Sequence, residues 1–368
     1  MIKMNVLYIG YDFSDDKIGG NIGRKFKYKL FKEILRDNLY EVIIPMNKRK
    51  IEILKNYLTL SFNGQSKEIE KRIFETIKEK KINKIFFDGS LYGNIQKKIK
   101  KLYPKVELIT FFHNIEKNYY LERIKVEGKS RLILLPSVIY NENLSVKCSE
   151  KLIVLNKRDL DELKRIYKKR INDKLIYQTS LFLEDSYMEN KDFNKCNYDY
   201  LFIGSAFYAN IYGITWFIEE VLPYIEGKLV LIGKGMEILK EKFLNNEKLE
   251  IKGTVENIAN YYYEENIIIS PIFHGSGIKT KTIEALMYNK TIIGTKEAFV
   301  GIDKKDIEKI GVCCETKEEF IKILSNKKNL WNKRRSREIY LKNFSKSTIK
   351  RKFLEIFDLT GEKNDNTI

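Results

Sequence analysis

Histidine is nearly absent from this chain of 368 residues, which contains two, and nowhere do His, Cys, Asp and Glu fall at metal-ligand spacing. No resident metal is expected, and no Asp-x-Asp pair stands beside a strand. Cysteine is scarce too: Cys148, Cys196, Cys313 and Cys314 show no CxxC spacing, and adjacent cysteines rarely pair with each other. All four are expected to be reduced and structural. No run of eighteen uncharged apolar residues occurs, so no membrane-spanning helix is expected, and the opening MIKMNVLYIG reads as a strand and a glycine turn rather than a signal peptide. The expected location is the cytoplasm. Low-complexity segments and short repeats are also missing.

What is present suffices for two domains: the chain is 43% apolar and 12% aromatic, enough to build real cores. The formal net charge is +18, and it is unevenly placed. Residues 1–185 hold 39 Lys and Arg against 24 Asp and Glu, while the rest hold 29 against 26. A basic half suits nucleic acid, an anionic membrane surface or an acidic substrate, and equally a solvated surface in a Lys-rich chain. The chain contains no recognisable nucleic-acid module, and nucleic acid is not an expected partner.

Strand-like and helix-like runs alternate along both halves. NVLYIG (5–10), YEVIIP (40–45), KIFFDG (84–89), VELITFFHN (106–114) and KLIVLN (151–156) read as strands of the first half. DYLFIGS (199–205), KLVLIGKG (228–235), LEIKGTV (249–255), NIIISP (266–271) and KTIIGT (290–295) repeat the rhythm. Alternation of this kind means two α/β, doubly wound parallel sheets, with an irregular stretch near 172–198 as linker. Open α/β sheets bind ligands beyond the carboxyl ends of their strands, so the function is expected in a cleft between the two.

Every strand-following loop in the second half is small or polar: Gly204-Ser205, Gly233-Lys234-Gly235, Gly253-Thr254-Val255, and His274, Gly275, Ser276, Gly277, Ile278, Lys279, Thr280 and Lys281. The last lies in PIFHGSGIKTKTIEAL (271–286), between an apolar strand and a helix carrying Ile283, Leu286 and Met287 at helical spacing. Such a turn aims backbone N–H groups and the positive end of a helix at the space above the sheet, which suits phosphate. Lys279 and Lys281 add charge there, and Glu284 is placed to accept both hydrogen bonds of a ribose diol. His113, at the end of a first-half strand, and His274 are read as converging on one site. In the first half Gly19, Gly20 and Gly23 read as a loop leading to a helix that starts near Arg24. Lys25, Lys29, Lys32 and Arg36 then form one basic stripe opposite Phe26, Leu30 and Ile34, either a solvated face or a peripheral contact for an anionic membrane.

The stretches from DYLFIGSAFYANIYG through LVLIGKG, IKGTVENIANYYYEENIIISPIFHGSGIKTKTIEAL and MYNKTIIGTKEAFVGI, about 199–302, resemble the retaining glycosyltransferases of the GT-B fold, group 1 (family 4). GGNIGR and FFHNIE extend the likeness loosely into the first half. The resemblance implies a Rossmann-like acceptor domain over 1–185 and a Rossmann-like donor domain over 197–345, facing a central cleft. A last helix from about 346 to 368 would cross back onto the first domain. It implies transfer of a sugar from a nucleotide diphosphate sugar, UDP- or GDP-linked, without metal or other cofactor, to a glycan or lipid-linked glycan, in bacterial surface polysaccharide synthesis at the inner membrane face. A nucleotide-sugar epimerase and a non-catalytic sugar-nucleotide binder are the alternatives on the same fold. The glycine turns, Lys279 and Glu284 would hold the donor, His113 would lie close to the transferred sugar, and Gly19, Gly20, Asn21, Arg24, Asn114 and Glu116 would line the acceptor side. Two departures stand out. The family's commoner pattern has a second glutamate eight residues before Glu284, where this chain has Ser276. The usual Arg and Lys after the first strand of the second domain are missing from IGSAFYANIYG, which shifts the diphosphate charge onto Lys279 and Lys281.

Overall fold

The computed structural model describes residues 4–12, 19–45, 59–61, 64–189, 198–264, 267–275, 277–326 and 335–360, leaving the side chains of 19–22, 126–127 and 130–131 aside. Cys196 and Ser276 lie outside the described residues. The chain divides into two units, Met1–Leu181 with Lys350–Ile368, and Phe182–Ile349.

In the first unit, strands β1 (Val6–Tyr11), β2 (Leu39–Ile44), β3 (Lys84–Phe87), β4 (Glu107–Phe112), β5 (Lys151–Val154) and β6 (Leu175–Gln178) form one parallel sheet in the order β2-β1-β3-β4-β5-β6. β1 and β3 to β5 are apolar and nearly wholly buried, as strands covered by helices on both faces must be. β6 falls inside the stretch expected to be linker. It is an edge strand, half-exposed on LIYQ, so it lacks the apolar run that marks a buried strand.

The helix Gly19–Leu35 begins earlier than expected, taking Gly19, Gly20 and Gly23 into its first turns. Glycine costs roughly 1 kcal/mol against alanine in a helix, so propensity alone places the start later. Burial of Lys27, Leu30, Phe31 and Leu35 along the same helix carries it through. The helix ends at Leu35. Arg36 has φ 48° and starts the 3-10 turn Arg36–Asn38, so it leaves the stripe that Lys25, Lys29 and Lys32 share.

The last helix, Lys346–Ile356, brings Phe353 and the following Phe357 onto Phe31, with ring centroids 4.8 and 5.1 Å away. Lys151 Nζ donates to the Ile356 carbonyl at 2.8 Å and pairs with Asp358 at 2.7 Å, and Lys84 reaches Asp358 at 2.6 Å. The segment from Phe353 to Asp358 is thus fixed to the first unit.

The second unit repeats the design with β7 (Tyr200–Ile203), β8 (Leu229–Ile232), β9 (Leu249–Gly253), β10 (Ile267–Ser270), β11 (Ile292–Gly294) and β12 (Gly311–Cys313), in the order β12-β11-β10-β7-β8-β9. β12 has three residues, too few to announce a strand in the sequence. Tyr200, Phe202, Leu229, Leu231, Ile267, Ile269 and Ile293 form the core with Phe217 and Phe320. From β7 the chain winds outward through β8 and β9, then returns to place β10 on the other side of β7. The switch point therefore lies between the carboxyl ends of β7 and β10, where a doubly wound sheet opens a crevice for a ligand. In the first unit the corresponding reversal lies between β1 and β3.

Candidate functional site

The turns that end β7 and β8 touch directly at the second switch point. A Cβ added at Gly233 would sit 1.8 Å from the Gly204 carbonyl oxygen, so only glycine lets the two backbones meet. Gly204 N–H donates to Ile232 and Ala206 N–H to Lys234, at 2.9 and 2.8 Å. After β9 the arrangement changes, because Thr254 N–H in the Gly253-Thr254-Val255 turn already donates to the Glu237 carboxylate at 3.0 Å. That turn carries a negative charge and is poorly suited to phosphate.

The turn after β10 leads into the helix Thr280–Met287, which Lys279 precedes with extended backbone and no side-chain cap. Gly277 has φ 68°, a left-handed conformation that L side chains resist. His274 is exposed and lies against the Tyr212 ring at 5.0 Å.

The two lysines of this turn have different fates. Lys279 Nζ pairs with Glu297 Oε1 at 2.7 Å and donates to the Gly277 carbonyl at 3.0 Å. Lys281 Nζ donates to Asn210 Oδ1 at 2.8 Å and stands over the Phe202 ring at 4.2 Å. No carboxylate among the described residues forms an ion pair with it. A methyl added at Gly204 would lie 3.1 Å from this ammonium, so Lys281 stands directly beneath the Gly204-Ser205 turn. Asn210, which also donates to the Ser205 carbonyl at 2.9 Å, ties turn and lysine together. Burial and the neighbouring Lys279 lower the Lys281 pKa to about 7, against the opposing pull of Glu284. Burial likewise raises Glu284 to about 7, although it accepts from Tyr262 OH at 3.2 Å and lies near Lys281. Tyr262 is held by stacking on Tyr288, with centroids 4.7 Å apart and planes 6° from parallel. The result is a cation and a carboxyl, both partly buried and both poised near neutral pH, next to an uncapped helix start.

A second polar cluster occupies the carboxyl ends of β1, β3 and β4. Asp88 follows β3 and is 1% exposed. It accepts from Tyr8 OH at 2.5 Å and from His113 Nε2 at 2.8 Å, pairs with buried Lys27, and has Arg24 Nε at 3.8 Å. Burial by itself would raise the Asp88 pKa, but Lys27, His113 and Arg24 hold it well below the usual range. Burial, with Arg24, lowers His113 to about 4 despite Asp88. Beyond it, burial and the nearby Glu142 raise Glu116 to about 8, while Asn114 hydrogen-bonds its carboxyl.

The expected residues thus fall into two groups. Gly204, Ser205, Gly233, Lys281 and Glu284 gather at the second unit's switch point. Arg24, His113, Asn114 and Glu116 gather in the first unit, where Gly19, Gly20 and Asn21 form the start of the helix that presents Arg24. Nothing in the local pattern marks Asn210, Glu297, Tyr262, Asp88 or Lys27. Their ionisable partners lie 18 to 80 residues away, beyond any local spacing rule.

Residues 197–325 match the model of the family described as glycosyl transferases group 1. Sucrose-phosphate synthase from Thermosynechococcus elongatus is similar in structure, with TM-score 0.69 and 12% identity over 96% of this chain and 98% of that one. HepE from Anabaena, solved in complex with UDP, gives TM-score 0.67 and 10% identity over 96% and 100%. WaaG, a glycosyltransferase involved in lipopolysaccharide biosynthesis, gives 0.63 and 12% over 97% and 100%. No curated protein sequence matches the chain. The family match falls on the unit that carries the glycine turns and Lys281, and the fold match spans nearly the whole chain. The second unit is accordingly similar to the group 1 glycosyl transferases over residues 197–325, and the chain as a whole has the GT-B fold.

Proposed function

We propose that this protein transfers a sugar, with retention of configuration, from a UDP- or GDP-linked donor to a glycan or lipid-linked glycan. One observation carries the donor half of the proposal: the Lys281 ammonium lies beneath the Gly204-Ser205 turn with an amide and an aromatic face for company and, among the described residues, no paired carboxylate. A buried cation without a counter-ion is costly, and an incoming diphosphate would supply one. The uncapped start of Thr280–Met287 adds partial positive charge at the same place. Together they would stabilise the departing diphosphate electrostatically, in the role a metal plays elsewhere. Glu284, held by Tyr262, would accept the ribose hydroxyls, and Gly275 and Gly277 would let the backbone approach the phosphates. HepE has been solved with UDP and with UDP-glucose, which supports a uridine nucleotide as the first donor to test.

The first unit would take the acceptor near Arg24, His113, Asn114 and Glu116. A role in surface polysaccharide synthesis, at the cytoplasmic face of the membrane, is supported by analogy with WaaG and by the excess of positive charge in residues 1–185. A thermal-shift screen across UDP-, GDP- and ADP-sugars, followed by mass and anomeric analysis of products with and without EDTA, tests the proposal. Donor conversion in the absence of any acceptor would indicate an epimerase. Binding without turnover on any acceptor would indicate a sensor, and an inverted product or activity abolished by EDTA would remove those two parts of the proposal.

A further inference from the structure

Asp88 is surrounded by donors. Oδ1 takes Lys27 and His113 Nε2, and Oδ2 takes Tyr8 OH with Arg24 Nε close by. A carboxylate that accepts three hydrogen bonds beside a guanidinium, and is 1% exposed, is held as the anion and out of reach of a substrate proton. Its neighbours are themselves fixed. Lys27 Nζ sits 3.6 Å from the centroid of the Phe111 ring, and that ring lies 4.8 Å from the imidazole of His113. The imidazole is therefore packed on one side and tethered on another.

His113 Nε2 meets two groups, Asp88 Oδ1 at 2.8 Å and Arg24 Nε at 3.3 Å. One ring nitrogen cannot donate to the first and accept from the second at once. Asp88, ionised, only accepts, and its contact is the shorter and the charge-assisted one, so the proton belongs on Nε2. Arg24 Nε then retains the other Asp88 oxygen as its partner. No described residue hydrogen-bonds Nδ1.

We infer that Asp88 is the positioning residue of this site: it holds His113 as the Nε2–H tautomer and thereby presents an unprotonated Nδ1 as a fixed acceptor for a substrate hydroxyl. The catalytic consequence rests on the proposed place of His113 beside the substrate, whereas the tautomer does not. Burial, Arg24 and Lys27 together keep the ring neutral well below pH 7, outweighing Asp88, so His113 would act as an acceptor and not as an acid. An acceptor fixed in direction selects a hydroxyl at one position on a sugar ring.

With only two histidines in the chain, long-range 1H–15N correlation spectra of the full-length protein at pH 7 resolve each ring, and His274→Gln assigns them. His113 is expected neutral with the proton on Nε2. In Asp88→Asn the new amide can donate to a bare Nε2, so the proton should move to Nδ1, as happens when a histidine's orienting carboxylate becomes an amide. Release of UDP from UDP-glucose should then fall by about 10²-fold, the low end for a positioned group, with UDP affinity within about twofold of the parent. Tyr8→Phe, which removes a donor from Oδ2 only, should leave the tautomer in place.

An Nδ1–H ring or an imidazolium in the unaltered protein overturns the inference, and that measurement stands even if Asp88→Asn fails to fold. A folded Asp88→Asn protein that keeps the Nε2–H tautomer overturns it as well. A moved tautomer with unchanged UDP release would uphold Asp88 as the positioner and remove His113 from the reaction.

Discussion

Replacing Lys281 by methionine removes the one cation of the donor turn that lacks a carboxylate partner among the described residues, while keeping an unbranched apolar chain over Phe202. A hydrogen bond to a charged group contributes about 1.5–3 kcal/mol, and tenfold in affinity corresponds to about 1.4 kcal/mol. Lys281→Met should therefore weaken UDP binding by about 10- to 150-fold. The pH dependence is the sharper test. With its pKa lowered to about 7, Lys281 is mostly neutral at pH 8 in the free protein, and a bound diphosphate must recharge it. Binding should take up a substantial fraction of a proton near pH 8, and affinity should fall as pH rises above about 7.5 until the lysine also loses its proton in the complex. Titration calorimetry in two buffers of different ionisation enthalpy measures that uptake directly. Glu284 titrates in the same window but in the opposite sense, so Glu284→Gln is run alongside. The folded protein should also gain stability as pH rises from about 7 towards 10.5, since the unfolded chain then holds the lysine proton more tightly. If Lys281→Met binds UDP like the parent, or if uptake persists in the variant, Lys281 is not the group that meets the diphosphate.

Lys279→Ala should weaken UDP binding less than Lys281→Met does, because its ammonium is shared with Glu297 at 2.7 Å; a larger loss in the same titration would reverse their ranking. Glu284→Gln should lower UDP affinity while changing that for pyrophosphate by less than twofold, and equal losses for both would separate Glu284 from the ribose. Phe357→Ala removes a wholly buried ring and should cost about 3–5 kcal/mol; an unchanged melting temperature would mean the last helix contributes little to the first unit. Changing Lys25, Lys29 and Lys32 together to glutamine should reduce co-sedimentation with anionic vesicles at 0.1 M salt, each residue near a surface contributing about 1 kcal/mol. If variant and parent sediment alike, that helix face is merely solvated, and if neither sediments a soluble acceptor is favoured.

Local chemistry along the chain was enough to determine the sheets and the turns. The β-branched run Ile267–Ser270 is strand, the glycines after β7, β8 and β10 are turns, and the lysines and glutamate of 279–284 stand at a helix start, because these properties depend on neighbours within a few residues. β6 and β12 escaped for the complementary reason, being short or half-exposed and held by pairing with strands that are distant in sequence. The same limit governs the site. Lys279 and Lys281 are two residues apart and look alike on paper. What separates them is Glu297, which reaches the first, and Asn210 with Phe202, which receive the second without neutralising it. Asp88 read only as the end of a strand until the fold brought Tyr8, Lys27, Arg24 and His113 around it. Sequence spacing determines which groups lie near a strand end, but whether a charge is paired or left for a ligand depends on contacts through space, and those exist only once the sheets have closed.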